Sequence, residues 1–218
     1  METIKINTDL HNHLGTNKYN GDFNQVINIS SRQLGPAGIL GICNGEDNRY
    51  EFFVNLKGYG REDFKSFIYL PSKNLFVVKG QEVFTKQGHV LVLGLEKDKH
   101  IKSKDLEDVL KEAKDNKEHN VIIATHPFFF QGCGNYLINN PQLIRAFDAI
   151  EVHSGEAIYG NKNAKIFYEL IKDHYDIGAV SFSDGHSLYE IGSSQTILDM
   201  PSEFEPNKFI ASLRNSIK

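Results

Sequence analysis

The chain has 218 residues, of which 40% are hydrophobic and 24% are charged. This is the size and composition of a single globular domain, which we assign to residues 1–218, and it excludes disordered, collagen-like and cysteine-stapled proteins. The formal net charge of −4 argues against a broad basic surface for duplex nucleic acid, although it is compatible with a local patch over one substrate phosphate.

Seven segments are predicted to be β-strands because they are short, apolar or alternating, and bounded by turn residues. They are residues 4–10, 38–43, 74–84, 89–95, 120–125, 149–154 and 178–183. Helical periodicity predicts helices at 103–118, where Ser103 is the expected N-cap, at 162–175 and from 207 onwards. Strands that alternate with helices predict a largely parallel sheet, with functional residues at the C-terminal ends of its strands.

Several of the nine histidines fall at those strand ends. The segment DLHNHLG closes the first strand, so alternation places Asp9, His11 and His13 on one side of the sheet. Near the other end of the chain, SDGH places Asp184 and His186 two positions apart, directly after another strand. Imidazoles and carboxylates at this spacing predict metal ligands.

Further strand ends carry additional candidates. Glu82 and His89 flank a short glycine-containing turn, and a hairpin centred on residues 85–88 is expected to pair them directly across two strands. His126 ends an apolar strand just before a proline. His153 lies late in the next strand, where it could ligate metal, contact substrate or pack against neighbours.

The candidate metal ligands exceed the needs of one four-coordinate ion. They are His11, His13, Glu82, His89, His126, His153, Asp184 and His186. Such a set predicts two ions bridged by a carboxylate, or one ion with additional substrate contacts. Mixed imidazole and carboxylate ligands fit Zn, Mn or Fe and do not distinguish among them.

The order of the segments DLHNH, GxE, GH, THP and SDGH resembles the PHP (polymerase and histidinol phosphatase) family of metal-dependent phosphoesterases along nearly the whole sequence. The resemblance implies a distorted seven-stranded β/α barrel of the TIM-barrel type that hydrolyses phosphate esters with two or three divalent metal ions. It implies that one metal is held by His11, His13, Glu82 and Asp184. It implies that a second is held by Glu82, His89 and His126, which makes Glu82 the bridge.

The sequence departs from the family pattern at one place. The family usually has a TDH triplet after its second strand, whereas this chain reads CNG at 43–45. His186 matches a position that serves a third ion in the family. Unless Glu46, Asp47 or Asp22 completes that third site, the resemblance implies two metals and leaves His186 free to contact substrate or act as a general acid.

The expected mechanism is hydrolysis by a water molecule that a bridged metal pair activates and orients. His186 or His153 is expected to protonate the departing alkoxide. Asp9 is a candidate to orient a ligating imidazole, or is a hydrogen-bonding carboxylate at a strand end.

The expected partner is a small phosphorylated substrate, with no extended nucleic-acid surface and no membrane. The opening METIKINTDL lacks signal-peptide features, and no apolar run approaches the ~18–20 residues of a membrane span, so a cytoplasmic location is expected, with Cys43 and Cys133 as reduced thiols. Two other functions are open: a dinuclear amidohydrolase-type enzyme, and a PHP-like metal-binding module with a structural or regulatory role and no hydrolytic activity. No motif indicates the oligomeric state.

Overall fold

The structure is a computed structural model that describes residues 2–14, 23–54, 60–115, 120–203 and 205–218. Asp22, a candidate ligand for a third ion, lies outside the described residues. Within these ranges the strands are β1 (Thr3–Asp9), β2 (Gly38–Asn44), β3 (Glu62–Asp63), β4 (Phe67–Leu70), β5 (Leu75–Thr85), β6 (Gly88–Leu93), β7 (Val121–Ala124), β8 (Ala149–Ser154), β9 (Gly178–Phe182) and β10 (Thr196–Pro201). The α-helices are α1 (Phe23–Leu34), α2 (Arg49–Val54), α3 (Leu106–Asp115), α4 (Gly134–Asn139), α5 (Asn161–Ile171) and α6 (Phe209–Ile217).

Eight strands follow one another in the order β10-β1-β2-β5-β6-β7-β8-β9, and the β3–β4 hairpin pairs onto β5. The ends of this path are joined by Thr196, whose hydroxyl accepts the Ser181 N–H at 2.8 Å and donates to the Ser181 carbonyl at 2.9 Å. The sheet is therefore a nearly closed barrel. The predicted α/β barrel class is confirmed, and all seven predicted strands are present. The barrel has eight strands and not the predicted seven, because β10 is added antiparallel to β1, and the β3–β4 hairpin lies off this path.

Besides β10, one strand of the barrel runs against the others. The β1, β2 and β5 strands are parallel, as are β7, β8 and β9, whereas β6 is antiparallel to both β5 and β7. As a result, the beginning of β6 and the ends of its neighbours meet at the same rim of the barrel.

Alternation along the strands separates a barrel interior from two outer layers. On β5, Phe76 and Val78 belong to the interior cluster, while Val77 packs in the outer layer that α1 also joins. Helix α6 contributes Phe209 and Leu213 to the interior cluster. The apolar stripe predicted for the 103–118 helix is buried. The N–H of Glu107 at the start of this helix donates to Asp105 Oδ1, so Asp105 and not the predicted Ser103 caps it.

The loops that follow β1 and β9 contact each other over the rim. The N–H of His13 donates to the carbonyl of Gly185 at 2.7 Å, and Asn12 and Gly185 form an isolated parallel bridge. A Cβ at Gly185 would lie 2.7 Å from the Asn12 Oδ1 atom, so a side chain at this position would push the two loops apart. These contacts bring segments from opposite ends of the sequence together.

The two cysteines and the described helices add no further functional site. Cys43 and Cys133 are free and fully buried, and burial raises the pKa of both thiols to about 12. Neither is poised as a nucleophile or metal ligand. Among the described helices, none combines the length and the apolar character needed to cross a bilayer.

Candidate metal centre

One rim of the barrel collects the candidate ligands from five separate segments. His11 and His13 follow β1, Glu82 lies late in β5, and His89 begins β6. The loops after β7 and β9 supply the other members of the cluster, which are His126, Asp184 and His186. His89 reaches this rim from the start of its strand because β6 runs in the opposite direction to β5 and β7.

The carboxylate of Glu82 lies at the centre of the cluster, and its two oxygens face different histidines. Its Oε1 atom is 3.0 Å from His89 Nδ1 and 3.0 Å from His126 Nε2. Its Oε2 atom is 3.0 Å from His13 Nε2. A carboxylate with each oxygen turned to a separate imidazole group has the geometry of a bridge between two cations.

The His11, His13 and Asp184 side chains complete one half of the cluster. The two Nε2 atoms of His11 and His13 are 3.1 Å apart, and each lies 3.4 Å from Asp184 Oδ1. Tetrahedral ligands at a metal–nitrogen distance of about 2.0–2.1 Å are about 3.3 Å apart, so this spacing fits two ligands of one transition-metal ion.

Glu151, which the sequence analysis did not single out, fixes the proton position on His11. Its Oε1 atom is 3.2 Å from His11 Nδ1, and because a carboxylate oxygen only accepts, the Nδ1 atom carries the proton. In the neutral ring that binds a metal, the Nε2 atom of His11 therefore presents a lone pair, and it faces Glu82 Oε1 at 3.6 Å and Asp184 Oδ1 at 3.4 Å. Acceptors that converge in a buried space need a cation between them, so the residues fit a metal centre.

The electrostatics of the cluster agree with this geometry. Burial alone would raise the pKa of Glu82, but hydrogen bonds with the surrounding imidazoles outweigh it and hold that pKa well below its usual range. Burial opposes protonation of His11, yet the charges of Asp184 and Glu151 raise the pKa of His11 well above its usual value. The pKa of Asp184 is lowered in turn by His11 despite burial. The carboxylates are thus held as anions that favour a bound cation.

The backbone at two cluster residues is strained. His126 has φ 27° and Asp184 has φ 55°, values that residues with a side chain rarely adopt. The N–H of His126 donates to Glu151 Oε2 at 2.7 Å, which holds the chain in this conformation. Strain of this kind persists where the surroundings enforce it and is concentrated at functional sites.

The predicted hairpin register is wrong by one pair. Residue Phe84 pairs with His89, and Glu82 pairs with Leu91, because Thr85 and Gly88 close a two-residue turn. Glu82 and His89 are therefore diagonal neighbours on the same face of the hairpin. Their side chains are long enough to bridge a diagonal, which explains why they still meet.

His153 does not join the cluster, which corrects its prediction as a ligand and proton donor. A bulge between Glu151 and His153 shifts the pairing, so that His153 lies opposite Ser181 on the outer face of the sheet. The side chain is exposed, and its Nδ1 atom is 3.1 Å from the Asn161 amide nitrogen. Strict alternation of side chains predicted the opposite face for His153 because it does not include the extra residue of the bulge.

Of the two roles predicted for Asp9, the structure shows the hydrogen-bonding carboxylate at a strand end and not the orientation of an imidazole. Its carboxylate accepts the Ser183 N–H at 3.0 Å, the Ser183 hydroxyl at 2.6 Å and the Gly192 N–H at 2.8 Å. Strand β1 ends at Asp9, so alternation does not extend from it to His11. Asp9 ties together segments 174 positions apart, and Glu151 is the residue that orients an imidazole.

Replacing Asp9 by Asn is expected to lower stability without weakening metal binding. The amide would turn N–H groups toward backbone N–H donors, at a cost of about 1–3 kcal/mol in the free energy of unfolding. Thermal denaturation would detect this as a fall in Tm of about 2–4 °C for each kcal/mol. A fall in metal affinity of tenfold or more, with Tm unchanged, would contradict this structural role.

The residues considered for a third ion lie apart from the cluster. Asn44 accepts the Tyr50 N–H at 2.8 Å, and Asp47 pairs with Arg49 at 2.7 Å. Glu46 is 78% exposed and lies 3.5 Å from Lys104. Of the third-ion candidates that the structure describes, only His186 groups with cluster residues, through His13 and Asp184.

Comparisons with known proteins add the fold relationship. No family model matches the sequence, and no curated protein is similar enough to be matched. Among solved structures, PsfC from Pseudomonas syringae PB-5123 superposes with a TM-score of 0.69 at 15% identity, covering 99% of this chain and 97% of PsfC. A two-domain protein from Bacteroides vulgatus ATCC 8482, described as containing a predicted PHP-like metal-dependent phosphoesterase, gives 0.63 at 14% identity over 99% of this chain.

Endonuclease Q, solved with a 27-mer DNA duplex carrying an abasic lesion at its active site, gives a TM-score of 0.67 at 13% identity over 98% of this chain. This chain spans 63% of the Bacteroides protein and 56% of Endonuclease Q. The prediction of a small phosphorylated substrate without nucleic-acid contact is corrected by this comparison, because a similar fold accepts a DNA duplex. At these identities the comparisons establish one property of the chain, which is that its fold is PHP-like.

Proposed function

We propose that this chain is a metal-dependent phosphodiesterase that hydrolyses nucleic acid, with its 218 residues acting as one domain. The observation that carries the proposal is the Glu82 carboxylate, whose oxygens face His13 on one side and the His89 and His126 pair on the other. The PHP-like fold and the buried acceptors around Glu82 support it.

The cluster divides naturally into two ligand sets that share Glu82. One set is His11, His13, Glu82 and Asp184, and the other is Glu82, His89 and His126. Divalent ions held there would supply Lewis acidity and would lower the pKa of a coordinated water toward neutrality. Zn, Mn and Fe all suit this mixture of imidazole and carboxylate donors.

His186 is the residue we assign to protonation of the leaving oxygen. Its Nδ1 atom lies 2.6 Å from Glu156 Oε2 and 2.9 Å from the Asp184 carbonyl, so two acceptors hold the proton on Nδ1. The Nε2 atom is left to face the leaving oxygen. The side chain is 46% exposed, which leaves it accessible to substrate at the edge of the cluster.

A groove of mixed charge beside Glu82 supports a polynucleotide substrate through its lysines. It has a volume of about 400 Å³, and its charged lining comprises Glu46, Glu82, Lys102 and Lys104, of which Lys104 lies 3.5 Å from Glu46. Positive side chains that follow a groove contact a phosphate backbone independently of sequence. The net charge of the whole chain does not reveal this local arrangement.

The position of Lys79 argues against the amidohydrolase alternative, in which a lysine would be a bridging metal ligand. Its ammonium group is buried on the outer side of β5, where it contacts Glu51 at 2.6 Å and donates to the carbonyls of Lys97 and Lys99. It therefore cannot act as a bridging ligand in the cluster.

The test combines metal analysis with hydrolysis assays. Purified protein is expected to contain about two transition-metal ions per chain and to cleave bis(p-nitrophenyl) phosphate and an end-labelled oligonucleotide, with a chelator abolishing both activities. Inductively coupled plasma mass spectrometry measures the metal, and gel electrophoresis measures the cleavage.

Other outcomes would overturn the proposal in distinct ways. Bound metal without turnover of any phosphate ester would identify the non-hydrolytic module. Turnover restricted to amides would identify the amidohydrolase-type enzyme. Turnover restricted to phosphomonoesters would retain the hydrolase but reject the nucleic-acid substrate.

A further inference from the structure

Exposed aromatic side chains are concentrated on the loops beside the metal centre. Four of the five exposed phenylalanine and tyrosine side chains in the described ranges lie on the three loops that follow β7, β8 and β9. Phe130 is 90% exposed, Tyr159 is 94% exposed and Tyr189 is 96% exposed. Rings as large as these usually bury most of their surface, so three on adjacent loops indicate a binding surface.

Contacts between the loops show that they form one wall of the site. The ring of Phe129 packs edge-on to the ring of His126, with 6.1 Å between centroids. Gly160 lies so close to the Phe129 backbone that a Cβ there would be 2.8 Å from the Phe129 nitrogen, which places Tyr159 beside this loop. Glu156, from the same segment as Tyr159, contacts His186, so the second and third loops also meet.

The charge on this wall favours bases over a run of phosphates. Glu156 lies 2.6 Å from His186 Nδ1, and Glu190 accepts the His186 N–H at 2.7 Å, so both carboxylates lie on the loops that carry Tyr159 and Tyr189. Apart from the scissile phosphate beside His186, phosphates would be repelled by these carboxylates, whereas a nucleobase stacks on an aromatic ring without regard to its sequence. Lys102 and Lys104 line the groove on the Glu82 side of the centre together with Glu46, and the sugar–phosphate backbone is expected along this groove.

We propose that Phe130, Tyr159 and Tyr189 form a platform on which the unpaired bases next to the cleaved phosphodiester stack. This inference rests on the proposed function and specifies its substrate class. Base faces are available for stacking on a protein only where they are unpaired and unstacked. The substrate is therefore a single strand, or a duplex that is opened locally around the cleavage point.

The absence of tryptophan from the chain allows a direct test. Tyr189→Trp and Tyr159→Trp each introduce one fluorophore at the platform, and Leu170→Trp, at a 69% exposed position on α5, is the matched control. The probes are a 20-mer oligothymidylate and a 20-mer of abasic units, both with hydrolysis-resistant phosphorothioate linkages. With metal-loaded protein, the oligothymidylate is expected to quench both platform reporters, and the abasic 20-mer is expected to quench neither.

Alanine variants give the size of the effect. Phe130→Ala, Tyr159→Ala and Tyr189→Ala are each expected to weaken oligothymidylate binding by about 5- to 150-fold, with the affinity for the abasic 20-mer unchanged. These side chains are exposed, so the Tm of each variant should equal that of the wild type. Equal quenching by both probes, quenching of the Leu170→Trp control, or Ala variants that bind both probes like the wild type would overturn the platform.

The two proposals fail separately. Cleavage of bis(p-nitrophenyl) phosphate without base-dependent quenching would reject the platform and leave the hydrolase. Base-dependent quenching without any metal-dependent cleavage would reject the hydrolase and support the platform as a nucleic-acid-binding surface.

Discussion

Glu82→Gln is expected to reduce bound metal from about two ions per chain to one or none and to lower phosphodiester hydrolysis by at least about 1000-fold. The substitution removes the negative charge that lies between the two ligand sets, within 3.0 Å of His13, His89 and His126. It also turns an N–H₂ group toward imidazole nitrogens that are 3.0 Å away in the native protein. Metal content by mass spectrometry and initial rates with bis(p-nitrophenyl) phosphate measure the two effects.

The matched control is Glu169→Gln, the same chemical change at a carboxylate on α5 that is 57% exposed and outside both the cluster and the groove. It is expected to retain full metal content and to change the rate by less than about threefold. If Glu82→Gln kept both its metal and its activity, Glu82 would not be a bridge, and the assignment of both ligand sets would be rejected.

Glu151→Gln is expected to weaken metal binding by about 10- to 100-fold, although Glu151 is not itself assigned as a ligand. The two Glu151 oxygens accept the His126 N–H and lie 3.2 Å from His11 Nδ1, so both positions require an acceptor. A glutamine offers one acceptor and one donor. Its N–H₂ group would oppose the His126 N–H or would force the proton of His11 onto Nε2, where it blocks the metal.

Competition with a fluorescent chelator measures this loss of affinity, and nitrogen NMR of the His11 ring reports the tautomer. Asp9→Asn is the control, because Asp9 is an equally buried carboxylate that contacts Ser183 and Gly192 and no imidazole. Wild-type affinity in Glu151→Gln, together with an unchanged tautomer, would show that Glu151 has a purely structural role.

The cluster was predictable from the sequence because histidines and carboxylates at strand ends are uncommon and strand ends meet at one rim. This rule predicted the HxH pair at His11 and His13, as well as Asp184 after β9 and His126 after β7. Strand boundaries were accurate to one or two residues, since apolar runs between turn residues define them. The β10 strand was missed because half its residues are exposed or polar, and β3 and β4 were missed because they are only two and four residues long.

The errors concern features that alternation does not encode. A single inserted residue in β8 turned His153 outward, and a two-residue turn shifted the pairing of Glu82. Glu151 was overlooked although an acidic residue within an otherwise apolar strand is a signal that could have identified it. The substrate prediction rested on net charge, which averages over the whole surface and does not show which charged side chains line one groove.

The junction between the loops after β1 and β9 has a mechanical consequence. Here the polypeptide closes on itself through few backbone contacts, among them the 2.7 Å bond from His13 to Gly185. His11 and His13 lie on the loop after β1 and Asp184 lies on the loop after β9, so a cation bound by all three would cross-link the two loops. The same side chains would then hold the metal and stabilise the seam of the barrel, so loss of the ion would weaken the site and the seam together.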